Sequence, residues 1–248
     1  MFWKFIEIIV RIIYWKRFHT AKKIGEAAAL LSDGKPEMAL SHLQKYGNSV
    51  HQTLIPLFAL TQGKILEAMG RMTDAEASYR TAVLTNPRDA RADVALAVLT
   101  GRQFRFEDCR SWLNRALEKE DSESTKRAQE ILLHLDAIEN GEIQRQFENR
   151  AMGLAEKVIL GGRAPGFPPD TKLLAAWVGT PEAKDHIDDV ALLLAYAETQ
   201  QNGHWKIGLS IEDTVVIKSD GEEYRPFETI ASWLRSTGPA TQPSLKQQ

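Results

Sequence analysis

Residues 60–87 read LTQGKILEAMGRMTDAEASYRTAVLTNP, and their spacing decides the fold. Apolar residues recur three and four positions apart on both sides of Gly70, the pattern of two amphipathic helices joined by a tight turn. Gly63 and Ala75 are small where two such helices cross closely. Tyr79 is the large side chain that fills the space beside them. Ala82 lets a following hairpin approach, and Pro87 stops the second helix.

A hairpin that buries a face on its neighbour has to be repeated. A shift of 34 residues carries Gly63 to Ala97, Ala75 to Cys109, Tyr79 to Leu113, Ala82 to Ala116 and Leu84 to Glu118. Size is kept at the crossing points, so residues 90–123 are expected to form a second, degenerate hairpin. Pro87 falls on Asp121, a departure at that end. Upstream, Ala27, Leu30, Gly34, Ala39 and Leu43 match within 20–50, with Tyr46 where an alanine is expected.

With Gly63, Leu66, Gly70, Ala75, Tyr79, Ala82 and Pro87 in these places, the stretch resembles a tetratricopeptide repeat (TPR), and the resemblance covers about residues 20–123. It implies a mainly α fold of stacked helical hairpins, an α-solenoid, whose first helices line an inner face that binds proteins or peptides. On this sequence that face starts at Ile24, Ala28 and Leu31. It continues through a partner-binding groove of Leu57, Leu60, Lys64, Glu67, Arg91, Val94, Val98 and Arg102. TPR domains that clamp chaperone tails use a lysine and an asparagine where this chain has Ile24 and Ala28, and only Arg91 sits at a basic clamp position. The mixed apolar and basic groove suits a helix or an acidic-apolar peptide instead. The competing reading is that the chain's own N-terminal helix or C-terminal domain fills part of it.

Residues 124–160 keep helical periodicity with little of the motif, as a capping hairpin would. Residues 161–170, GGRAPGFPPD, cannot continue a helix and read as a linker. No strand precedes them and no Lys-Ser/Thr follows, so a phosphate-binding glycine loop is not indicated. Beyond lies a small α+β domain at 171–236. A short helix over TKLLAAWV is followed by a helix capped by Thr180 and opened by Pro181, with Glu182 and Asp185 near its positive end. HWKIGLSI alternates as a strand and pairs with TVVIK in a hairpin, Asp220-Gly221 marks another turn, and Pro226 opens a last helix. The domain has a faint similarity to small bacterial α+β domains and brings no activity with it. Residues 237–248 read as a disordered tail.

No catalytic motif is present, neither HExxH, paired CxxC, GxSxG nor a Walker sequence, and no cofactor is implied. Cys109 occupies a place where a small apolar residue is wanted and has no histidine near it in sequence. Asp185 and Asp189 share a helix face with a weak capacity for a cation, but with Asp188 they read as a solvated edge beside His186, over a core of Ile187, Val190, Ala191 and Leu194. A ligand-binding or enzymatic module in 171–236, built around His186, Asp189 or His204, is the alternative function. The net charge of -2 gives no electrostatic case for nucleic acid, and one cysteine allows no intrachain disulfide.

The chain opens MFWKFIEIIVRIIYWKRFHTAKK. As a helix, Phe2 to Trp15 spans about 21 Å, short of the roughly 30 Å hydrocarbon core. Lys4, Glu7 and Arg11 form one narrow stripe, and a basic collar of Lys16, Arg17, Lys22 and Lys23 follows. An amphipathic helix over 1–19 is therefore expected to lie in a membrane interface through Phe2, Trp3, Phe5, Ile6, Ile9, Ile13, Lys16 and Arg17. The alternatives are packing on the repeats or on a second copy, or a short or tilted span. The collar would place the rest of the chain on the cytoplasmic side, peripheral to the inner face. The sequence as a whole reads as a scaffold for protein–protein interaction, with a soluble oligomer as a further alternative.

Overall fold

The computed structural model describes residues 2–119, 121–160, 174, 175, 178 and 185–236; the side chains of 2–14, 16, 49, 122, 156–160 and 236 are outside that description. The linker expected at 161–170, the helix start at Thr180–Glu182 and the tail at 237–248 lie outside the described residues. The fold is mainly α with a small antiparallel sheet. Two compact units divide inside one helix, Met1–Leu132 and Leu133–Gln248.

The first unit is built from adjacent helices packed in pairs: α1 (Phe2–Ser32) with α2 (Pro36–Gln44), α3 (Ile55–Ala68) with α4 (Met72–Thr85), and α5 (Arg91–Arg102) with α6 (Phe106–Leu117). The same turn closes each pair. The amide of Lys35 donates to Leu30 O at 3.0 Å, that of Arg71 to Leu66 O at 2.9 Å, and that of Arg105 to Thr100 O at 2.9 Å. These bonds require a left-handed residue just before the donor. Gly34 and Gly70 supply it at φ 73, but the third turn uses Phe104 at φ 60. A side chain there costs roughly 1–2 kcal/mol.

Positions 34 apart share their burial. Ala75 and Cys109 are inaccessible, as are Tyr79 with Leu113 and Ala82 with Ala116. The crossing point explains the small residues. A Cβ added at Gly63 would overlap the Tyr79 ring. Thirty-four residues later Ala97 already carries that Cβ, and the position equivalent to Tyr79 is the smaller Leu113. A second tie joins α5 to α6 and has no counterpart in the preceding pair. Asp93, fully buried, forms an ion pair with Lys119 and lies 3.1 Å from Arg115 Nε, while Lys119 Nζ also donates to Asp89 O at 3.2 Å. The residues 34 earlier are Ala59, Thr81 and Thr85.

The N-terminal segment is not a separate element. α1 runs unbroken for 31 residues, about 46 Å, so no boundary falls at residue 19. Its described buried side chains begin at Thr20 and continue through Ile24 and Ala27. Among the described residues no helix is long and apolar enough to cross a membrane.

In the second unit, α8 (Glu142–Leu160) presents one apolar face. Its stripe of Ile143, Phe147, Ala151 and Leu154 is buried in the cores formed with α9 (Ile187–Thr199). Helix α7 (Ser122–Glu139) spans the division. The run Val190–Ala195 is buried throughout, as suits a helix covered on several sides. Leu174 and Val178, from the expected short helix, join this core. The hairpin is a three-stranded sheet: β1 (His204–Lys206), β2 (Val215–Ile217) and β3 (Glu223–Tyr224), in that order and antiparallel. Trp205 faces Val216, and Val216 faces Tyr224. Strand β1 stops five residues before the expected Ile211. A polar turn replaces it, in which Gly208 N donates to Thr214 Oγ1 at 3.1 Å and Ser210 Oγ to Asp213 Oδ2 at 2.8 Å. The sheet is followed by α10 (Pro226–Ser236).

The Gly63–Tyr79 contact predicts that Gly63→Ala destabilises the protein by about 1–3 kcal/mol through overpacking. Combining it with Tyr79→Leu reproduces the Ala97–Leu113 pairing. Urea unfolding of the two single variants and the double variant is expected to show a favourable coupling of at least about 1 kcal/mol, and strict additivity would refute the contact as the cause.

Candidate functional site

A recess of ≈ 340 Å³ lies within the first unit, between α3, α5 and the start of α7. Its apolar lining is Val94, Ala95 and Val98 with the edge of Tyr79, and Lys64, Glu67, Arg91, Asp121, Glu123, Ser124 and Arg127 supply the polar lining. Helices α3, α5 and α7 follow the turns that end each preceding pair, which is why one face of each reaches the same opening.

Most of its charges are matched internally. Glu67 accepts from Tyr79 Oη at 2.7 Å and from Arg102 Nη1 at 3.2 Å. Arg91 grips Asp89 with two nitrogens, Nε–Oδ1 at 2.9 Å and Nη2–Oδ2 at 2.6 Å. That hydrogen bond holds the Asp89 carboxyl below its usual range and raises the Arg91 guanidinium. Asp121 caps α7, accepting from Ser124 Oγ at 2.6 Å, and the bond lowers its carboxyl too. The departure from Pro87 to Asp121 is thus a helix cap. Lys64 and Arg127 differ. Both are exposed at the recess and have no ion-pair partner among the described residues; Glu123 is an unpaired anion on the same lining. The unmatched charge is therefore two cations against one anion.

Of the groove residues projected from sequence, Lys64, Glu67, Arg91, Val94 and Val98 come together in this recess. Arg102 reaches its edge through Glu67. Leu57 and Leu60 do not line it: Leu60 is in the core at 5% exposure and Leu57 packs against that core. The projection missed Ser124 and Arg127 because the motif fades after residue 123, and only the Asp121–Ser124 capping spacing signalled a helix start there.

The remaining candidates are dispersed. Ile24, at the clamp position, is in the core. Cys109 is inaccessible, and burial pushes its thiol up to about 11, away from a reactive thiolate. In the second unit His186 Nδ1 lies 3.4 Å from Asp189 Oδ2, and Arg150 Nε donates to Asp189 Oδ1 at 2.9 Å. Asp189 is thereby held by an arginine. His204 is exposed on β1. Among the described residues no group of three His, Cys, Asp or Glu side chains is placed to hold a metal. Of the N-terminal contact residues, Arg17 is exposed; the side chains of Phe2, Trp3, Phe5, Ile6, Ile9, Ile13 and Lys16 lie outside the described ones. Compared with known family models and with curated proteins, the chain matches none.

Tyr79 ties the recess to the core, and burial, followed by the Glu67 charge, raises its phenol above the ordinary 10.0. The folded state therefore favours the neutral phenol. The stability linked to it is complete below the unfolded value near 10 and is lost as pH rises towards the higher folded value. Urea midpoints measured upward from about pH 8 are expected to fall more steeply for the parent protein than for Tyr79→Phe once pH passes about 10. Parallel profiles would contradict the role assigned to this phenol.

Proposed function

We propose that the chain is a TPR-like scaffold that binds a protein segment in the recess between α3, α5 and α7, and that this segment is an acidic-apolar peptide or helix. One observation carries the reading. The recess has an apolar lining and most of its anions are already paired with neighbours, so that Lys64 and Arg127 stand unmatched against the single unpaired Glu123. An apolar side chain of the ligand gains by leaving water against Val94, Ala95 and Val98. Carboxylates beside it gain a cation whose desolvation is shared with the rim, while a basic ligand meets like charge. The repeated turn and the buried positions 34 residues apart support the repeat part of the reading.

The test uses fluorescein-labelled peptides of alternating glutamate and leucine against the lysine-leucine counterpart. Anisotropy is expected to show saturable binding of the acidic peptide alone, weaker at high salt. Lys64→Glu combined with Arg127→Glu should weaken it by at least about tenfold, equivalent to about 1.4 kcal/mol. Both substitutions are on exposed side chains, so the circular dichroism melt should stay unchanged. Equal binding of both peptides, or an unchanged affinity in the double variant, would defeat the proposal.

A further inference from the structure

The first unit carries a second surface, distant in sequence from the recess. On α1, Trp15 is 65% exposed and Phe18 is 73% exposed. Three residues apart, they share one helix face, and Lys22, exposed, lies one turn further along it. The buried residues Thr20, Ile24 and Ala27 occupy the opposite side of the same helix, so this face is turned away from the hairpin core. Trp15 is not loose. Its ring stacks on His19 at 5.3 Å, and His19 meets Tyr46 edge-on at 6.4 Å. The indole is held in place by the protein while most of it stays accessible.

The charge around this face is one-sided. Residues 15–25, WKRFHTAKKIG, contain four lysines and arginines and no acid, and the first acid after them is Glu26. Lys23 is engaged with Glu26 at 2.9 Å. Arg17 and Lys22 are exposed, with no ion-pair partner among the described residues. We propose that the Trp15–Phe18–Lys22 face of α1 docks on an anionic membrane surface. Tryptophan and phenylalanine partition to the headgroup boundary, and adjacent bases are attracted to anionic lipid. A helix lying flat delivers both contacts together, and it needs no span. A second copy of the chain is a poorer occupant. A two-fold contact would set this basic face against itself, bringing like charges together as the aromatic rings met.

Co-sedimentation with vesicles tests the proposal on the full chain. Vesicles of phosphatidylcholine alone are compared with vesicles holding about 30% phosphatidylserine, a composition with substantial negative surface potential. The chain should pellet with the anionic vesicles only, and high salt should release it. Trp15→Ser with Phe18→Ser should lower the partition coefficient at least tenfold, and Lys22→Glu alone several-fold, with the thermal midpoint unchanged in both. The proposal falls if the chain stays in the supernatant with both vesicle types, pellets equally with both, or binds undiminished after both changes. It falls equally if ultracentrifugation shows a dimer that the aromatic double variant dissolves while vesicles capture nothing.

Discussion

The first unit depends on the absence of one atom. Gly63 has no Cβ, and the Tyr79 ring occupies the volume that atom would take. This lets α3 and α4 cross closely, and it buries an aromatic ring whose hydroxyl must then find a partner. Glu67, one turn beyond Gly63 on α3, accepts it. The close packing therefore fixes a carboxylate at the mouth of the recess. With Glu67 already answered by a phenol and a guanidinium, the neighbouring Lys64 is left without an ion-pair partner among the described residues. A steric requirement in the core thus reaches the electrostatics of the surface through two side chains.

Those parts of the fold that rest on local stereochemistry are legible in the sequence. Small and large residues alternate at Gly63, Ala75, Tyr79 and Ala82, and they recur 34 positions later with Ala97, Cys109, Leu113 and Ala116, because each helix pair solves the same packing problem. Long-range choices are not legible in the same way. The stripe on α8 is as periodic as a repeat helix, and nothing local says that its partner is α9, some forty residues on. The alternation of HWKIGLSI promises a longer strand than β1. It ends because Gly208 packs against Asp213, Ser210 donates to the Asp213 carboxylate, and the Thr214 hydroxyl donates to Ser210 O and accepts from Gly208 N, which periodicity does not register. The third strand has two residues, too few for any pattern.

The site divides along the same line. Lys64, Glu67, Arg91, Val94 and Val98 follow from helical phase once the pairs are recognised. Leu57 and Leu60 have a similar phase yet belong to the core, since α2 as well as α4 packs on α3. Asp93 shows the limit of reading by homology within the chain. The position 34 earlier is an alanine, and a buried aspartate is tolerable only because Arg115 of α6 and Lys119, just beyond that helix, meet it.

Phe104 holds the one described hairpin turn of the first unit where local preference and native geometry part. The turns at Gly34, Gly70 and Gly141 carry glycine and the one after α9 carries Asn202, a residue that tolerates the left-handed conformation better than phenylalanine does. At Phe104 local preference and native geometry conflict, the condition termed frustration in energy-landscape language. Such a turn does not nucleate its own hairpin; the burial of α5 against α6 has to impose it. The α3–α4 pair, with Gly70 and the Tyr79 ring, is free of that conflict. On these local terms α3–α4 is the better-suited nucleus, and α5–α6 leans more on tertiary burial to close its turn.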